Sequence, residues 1–247
     1  MRTFGKMLKV EGRLSIRDMN MIIFAEIMPL IILIIISIIF GKKEAFPGAG
    51  YTFFEQSFGA LCSIAVCAGG LMGLPIVLAE YRERKILKRF QVTPISPLMV
   101  LFVHVSIYVL YSAVSIIILW AVASIFLGFT IRGSFFLFLL GWLLVLASIL
   151  SIGILVGGIA KNSKSASIIA SILYFPMLVF SGATLPYEVM PKMMQRVVDI
   201  LPLTQGVKIL KAAVLGLPLT NVAVSIVIMA ILTIICIGIS VKCFKWE

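Results

Sequence analysis

Six long apolar runs separated by short polar gaps dominate the sequence. Each is about 20 residues or longer, enough for a helix to cross a hydrocarbon core of about 30 Å. Residues 1–20 instead mix cations with apolar side chains at helical spacing, which predicts an amphipathic helix at the membrane interface. The pattern predicts an all-α membrane protein, with this interfacial helix followed by a six-span domain at 21–247. The predicted spans are residues 21–40, 54–79, 98–127, 134–160, 166–185 and 219–244.

The segment between the fifth and sixth predicted spans is too broken by proline to cross a membrane cleanly. Residues 186–216 are only moderately apolar. We expect a short amphipathic or re-entrant helical element on the outer side, before the last span. The residues that mark this outer element are Ser181, Gly182, Pro186, Pro191 and Pro202.

Composition and charge place this chain in lipid. Hydrophobic residues make up 62% of it and charged residues 13%, against about 25% charged in a soluble domain. The net charge of +11 does not indicate a nucleic-acid partner, because the cations flank the spans. Two-thirds of the 21 Lys and Arg residues fall in alternate gaps that include both ends. The positive-inside rule therefore predicts a multi-pass protein of the plasma membrane with both termini cytoplasmic.

The sequence predicts no catalytic residue and no metal site. The four cysteines form no CxxC pair, HExxH is absent, and no Asp lies in a predicted span. Two ionisable residues within spans, Glu26 and His104, are candidates for lining a substrate path. Alternatively, Glu26 snorkels toward the inner interface or pairs with a cation of the interfacial helix. His104, the only histidine, has the alternative role of a hydrogen-bonded packing residue.

The gap between the second and third spans carries the densest charge. It contains no Gly or Pro before Pro94, so it can form two to three helical turns that end at Thr93-Pro94-Ile95-Ser96. Glu80 and Arg84 are spaced for an i,i+4 ion pair. The gap is either a solvated loop whose cations only set topology or a helix that docks on a cytoplasmic partner and transmits force. The candidate docking residues are Glu80, Arg82, Glu83, Arg84, Lys85, Leu87, Lys88 and Phe90.

Three groups of motifs follow one another along the chain. Arg17-Asp18 precedes a first span that carries Pro29, and the second span leads into the charged gap. The later motifs are Phe180-Ser181-Gly182, Leu185-Pro186, Met190-Pro191 and Leu201-Pro202. In this order they resemble the permeases of the ABC type-2 exporter family over essentially the whole chain. One departure is Ile86, which stands where a glycine often follows the Arg-Lys of that family.

The resemblance implies a permease subunit of an ATP-driven exporter. The charged gap would be its coupling helix, seated in a cleft of a separately encoded ATP-binding cassette ATPase. ATP and Mg would bind that partner, and this chain, which has no GxxxxGK[ST] loop, would bind no cofactor directly. The resemblance also implies a second permease copy, and we expect a homodimer.

The scarcity of charge within the spans favours a hydrophobic or amphipathic cargo that is moved outward. A drug, a peptide antibiotic or a lipid-like molecule would fit, with a role in multidrug or antibiotic resistance. A permease for an ion or a lipid-linked glycan stays open as an alternative. So does an ATP-independent membrane immunity or assembly protein. An intramembrane enzyme is disfavoured because the residues it would need are missing.

Overall fold

The computed structural model describes residues 2–16, 19–41, 43–86, 96–182, 187 and 190–243, and these are almost entirely helical. Six helices in this part of the chain are long and apolar enough to cross a membrane. The predicted all-α fold with six membrane-spanning helices is therefore confirmed. In chain order the helices are α1 (Arg2–Ser15), α2 (Met19–Ile22, Ile23–Ile27 and Met28–Phe40), α3 (Phe53–Glu83), α4 (Pro97–Leu127), α5 (Phe135–Ile159), α6 (Ser163–Phe180), α7 (Lys192–Val198), α8 (Pro202–Leu215) and α9 (Ala223–Cys243).

Helix α1 is attached to the bundle through its apolar side. Met7 is buried in a small cluster with Val100, Val103 and Ile107 near the start of α4. The other face of α1 carries exposed cations, as the amphipathic pattern requires. Its position at a membrane interface stays a prediction.

Local hydrogen bonds set the span ends that hydropathy places only roughly. Helix α6 begins at Ser163 and not at the predicted 166, because the Asn162 side chain accepts a hydrogen bond from the Ser165 N–H at 2.8 Å. Helix α4 ends at Gly128, whose φ of 65° is the left-handed conformation that glycine adopts easily. Helix α3 continues past the predicted residue 79 to Glu83. The second span therefore runs without a break into the charged gap.

Two of the spans contain a π-helical stretch ahead of a proline. In α2 it is Ile23–Ile27, followed by Pro29, and in α3 it is Ala68–Gly73, followed by Pro75. Proline has no N–H and its ring crowds the preceding turn, so a wider turn before it relieves the conflict. The two stretches contact each other. They place Glu26 and a glycine-rich part of α3 close together in the bundle.

Residues 190–218 contain two helices, α7 and α8, instead of a span. Pro202 opens α8, where its missing N–H needs no partner, and Gly216 with φ of 70° ends it. The residues of α8 from Leu203 to Leu215 are almost all buried, because the helix packs between α3 and α5. Helix α8 is therefore part of the helical core, whereas α7 is largely exposed.

Candidate functional site

The candidate docking residues lie at the end of α3, and the structure describes five of the eight. Glu80, Arg82 and Glu83 belong to the last turn of the helix. Arg84 and Lys85 form the turn that follows, and Lys85 adopts a left-handed φ of 55°. The remaining three lie outside the described residues: Leu87, Lys88 and Phe90. The described five therefore extend a membrane span directly.

Glu80 and Arg84 form the i,i+4 ion pair that their spacing predicts, with 2.7 Å between Arg84 Nη2 and Glu80 Oε1. The two side chains are 38% and 69% exposed respectively. An exposed pair of this kind contributes at most about 1 kcal/mol to stability. Arg84 and Lys85 thus remain on the surface, where a partner can reach them.

Arg82 and Glu83 turn toward the neighbouring spans. Arg82 Nη1 donates a hydrogen bond of 2.7 Å to the carbonyl of Gly158, in the last turn of α5. Glu83 Oε2 accepts two hydrogen bonds of 2.9 Å, from the Ser163 N–H and from its hydroxyl. Both partners flank the short connection between α5 and α6. The sequence gives no signal for these contacts, since two of the three bonds join side chains to backbone atoms far along the chain.

A second set of contacts joins α1 to the same end of α3. The Tyr81 ring meets the His104 ring edge-on, with 4.8 Å between centroids, and the Tyr81 hydroxyl interacts with the Glu11 carboxylate of α1. His104 is 4% exposed and its Nε2 has no hydrogen-bond partner within the described part of the chain. His104 is thus packed against Tyr81 without a hydrogen bond at Nε2 among the described residues, and its role stays a prediction. Tyr81 and Glu11 are residues of this site that sequence reasoning missed.

Glu26 lies in the π-helical stretch of α2, against α4. Ser115 of α4 donates its hydroxyl hydrogen to the Ala25 carbonyl at 3.0 Å. Neither carboxylate oxygen of Glu26 has a hydrogen-bond partner among the described residues, although both are buried. A buried carboxylate in an apolar bundle is costly and calls for a reason beyond packing. Glu26 therefore remains a candidate for the substrate path.

Two grooves open on the bundle. One, of about 260 Å³, runs between α2, α3 and α6, and its walls are apolar except for Glu80 and Ser167. The other, of about 380 Å³, separates α4 from α5 and has only apolar and aromatic walls, including Trp120 and Trp142. Glu26 and His104 line neither groove. Neither groove thus supports a substrate path at these two residues, and the first groove reaches the charged end of α3 instead.

The outer element is held by a polar network around Asp199. The Tyr187 hydroxyl donates to Asp199 Oδ2 at 2.8 Å, and Lys208 Nζ donates to Oδ1 at 2.6 Å. Lys208 also stands over the Tyr187 ring, 3.9 Å from its centroid. Burial raises the pKa of Tyr187, and the hydrogen bond to Asp199 raises it further. This network keeps the connection between α7 and α8 in one conformation.

The marker residues of the outer element occupy different positions in the structure. Ser181 is buried and its hydroxyl has no hydrogen-bond partner in the described ranges. Gly182, with φ of 87°, follows the end of α6 in a left-handed conformation. Pro191 caps α7 and Pro202 begins α8, while Pro186 lies outside the described residues. Each described marker thus sits at a helix end.

These features define a polytopic helical membrane protein. The charged end of its helix α3 contacts four other helices, α1, α4, α5 and α6. The model of the ABC-2 type transporter family matches residues 3–215, and the chain belongs to that family. The resemblance that the motifs indicated is thereby confirmed.

Two curated relatives match parts of the chain. It is 30% identical to the inner membrane transport permease YhhJ of Escherichia coli (strain K12), over 136 residues that make up 55% of this chain and 36% of the relative. It is 31% identical to nodulation protein J of Neorhizobium galegae, over 72 residues that make up 29% of this chain and 28% of the relative. The match thus spans about a third of YhhJ. With its six candidate spans, the chain is a multi-pass membrane protein of this family.

Proposed function

We propose that this chain is the permease subunit of an exporter driven by a separate ATP-binding cassette ATPase. The observation that carries the proposal is the unbroken helix α3, which leads from the bundle core to a surface that presents Arg84 and Lys85. A rigid helix of this kind passes displacement at its charged end to the membrane segment. ATP and Mg bind the partner, and the permease acts as a homodimer in the plasma membrane with both termini cytoplasmic.

The substrate we propose is a hydrophobic or amphipathic molecule, such as a drug, a peptide antibiotic or a lipid-like compound. The groove between α2, α3 and α6 supports this class, because its walls are apolar and its end carries the Glu80 carboxylate. Apolar walls with a few polar groups suit a ligand that has both characters. A small ion or a glycan headgroup would find few hydrogen-bond partners there, so we rank those cargoes below an amphipathic one.

Capture of an ATPase tests the proposal. The permease is co-expressed with phosphate-loop ATPases of the same genome and purified by a tag on the permease. Leu87→Asp is expected to lower capture of the cognate ATPase at least about tenfold. A tenfold loss of affinity corresponds to about 1.4 kcal/mol, and burying an unpaired charge in an apolar contact costs more than that. Val197→Asp also replaces an apolar residue with Asp, but on α7, where Val197 is exposed. This control should leave capture unaltered. If the chain is active alone and captures no ATPase, the exporter proposal is wrong and the immunity or assembly alternative is favoured.

Glu26 gives a second test of the transport function. Glu26→Gln keeps the side-chain shape and removes the charge, so assembly should persist. If Glu26 lines the path, substrate-stimulated ATP hydrolysis by the purified complex should change by about threefold or more. Glu44→Gln, in an exposed loop, is the matched control and should change nothing. If the kinetics match those of the unmodified chain, Glu26 does not line the substrate path, and the alternative in which it snorkels toward the inner interface is favoured.

A further inference from the structure

Arg82 and Glu83 face the two ends of one interhelical connection with opposite charge. The Gly158 carbonyl is among the last four of α5, which have no partner within the helix, and the Ser163 N–H is among the first four of α6. A cation at a helix C-terminus and an anion at a helix N-terminus are each favoured by the helix dipole. The pair therefore matches this connection in sign as well as in hydrogen-bond geometry.

Small side chains bring α3 close enough for these bonds to form. Ala79, Ala160 and Ala166 make a separate buried cluster, with one residue from α3, one from the connection and one from α6. All three are at most 2% exposed. The end of α3 is thus packed on the connection as well as hydrogen-bonded to it, and the two cannot move independently without breaking both sets of contacts.

The neighbouring cations of the charged gap are placed differently. Arg84 pairs only with Glu80 of its own helix among the ion pairs of the described residues, and Lys85 is exposed. The gap is therefore divided: Arg82 and Glu83 are hydrogen-bonded to α5 and α6, although Glu83 is exposed, whereas Arg84 and Lys85 make no such bond among the described residues. This division distinguishes groups available to a partner from groups already engaged.

We propose that Arg82 and Glu83 are positioning residues that carry movement of the charged gap into α5 and α6. They do this through the connection at residues 160–162, and they make no contact with the ATPase. The inference rests on the proposed function, because it needs an ATPase to move the gap. On this inference, movement of the ATPase reaches the fourth and fifth spans, α5 and α6, directly as well as the second span.

Three substitutions break the link from its two sides. Glu83→Ala and Arg82→Ala remove both the charges and the hydrogen-bonding groups on α3. Ser163→Pro removes both donors to Glu83 and leaves the charged gap untouched; proline suits the first position of a helix, and Asn162 before it already has extended backbone. Lys192→Gln is the matched control, since it removes an exposed charge from α7, which lies outside the linked elements. Size-exclusion profiles verify that each variant folds.

The readout is a fluorophore on Lys161→Cys in the connection, in a background with Cys243→Ser; the cysteines at 62, 67 and 236 are buried. In the complex with the ATPase, addition of Mg-ATP should change its fluorescence. All three linking variants should capture the ATPase within about twofold of the unmodified chain and lose at least about fivefold of the ATP-dependent signal. Lys192→Gln should keep both the capture of the ATPase and the ATP-dependent signal.

Two results would overturn the inference and leave the proposed function standing. One is a full ATP-dependent signal in Glu83→Ala and Ser163→Pro. The other is a loss of ATPase capture in those variants as large as that of Leu87→Asp. If the unmodified chain captures no phosphate-loop ATPase, the proposed function fails and the inference fails with it.

Discussion

Replacement of Gly153 by valine is expected to destabilise the bundle by about 3 kcal/mol or more, at the upper end of what overpacking a core costs. A Cβ at Gly153 would overlap the Gly70 carbonyl oxygen of α3, and Leu74 Cδ2 lies 3.5 Å from the same position. The obstacle is backbone, so a change of side-chain rotamer cannot relieve it. A Cβ at Gly70 would in turn meet the Ile149 side chain of α5. Spans two and four therefore approach this closely at this depth because both positions lack a side chain.

Gly238→Val is the matched control for this prediction. Gly238 lies in span α9, and no heavy atom stands within 4 Å of its Cβ position. The measurement is the thermal midpoint of the detergent-purified protein. A loss of about 3 kcal/mol corresponds to a drop in the thermal midpoint of roughly 6–12 °C for a domain of about 150–250 residues. We expect this drop in Gly153→Val and almost none in Gly238→Val. Equal midpoints for the two variants would mean that α3 and α5 are not in contact at this depth.

Hydropathy alone predicts the six spans, because each must be about 20 apolar residues long to satisfy its backbone within lipid. It does not predict where the second span ends. Glu80 and Glu83 carry charge, so the pattern stops the span at 79, but a helix continues through charged residues once it leaves the hydrocarbon. The π-helical stretches also escape the pattern. Their one trace in the sequence is the proline that follows each, Pro29 and Pro75.

The candidate site was predicted as a segment but not as a set of contacts. The charged gap is visible because its density of cations is unusual between two apolar runs. Its division is invisible, since Arg82 and Gly158 are 76 residues apart and the acceptor is a main-chain carbonyl. The same limit applies to the outer element. Lys208 and Lys211 look like surface cations in the sequence, yet the structure pairs one with Asp199 and buries the other.

Burial of Lys211 makes Gln56 the second position with a large expected effect. Lys211 on α8 is 8% exposed, and its Nζ donates to Gln56 Oε1 of α3 at 2.9 Å. The ammonium also lies 5.2 Å from the centroid of the Tyr51 ring. Gln56→Leu removes an acceptor from a buried charge. We expect a loss of about 2–3 kcal/mol, in the range of hydrogen bonds to charged groups.

A double-mutant cycle separates this loss from simple repacking. Lys211→Met replaces the ammonium with an apolar side chain of similar length and leaves only a neutral amide without its donor, so it should cost about 1 kcal/mol. The double variant Gln56→Leu/Lys211→Met has neither buried polar group and should recover most of the stability that Gln56→Leu loses. Thermal midpoints of the four proteins give the coupling, which should exceed about 1 kcal/mol. Additive losses would show that Gln56 does not stabilise the ammonium, and that α8 is held against α3 by its apolar packing alone.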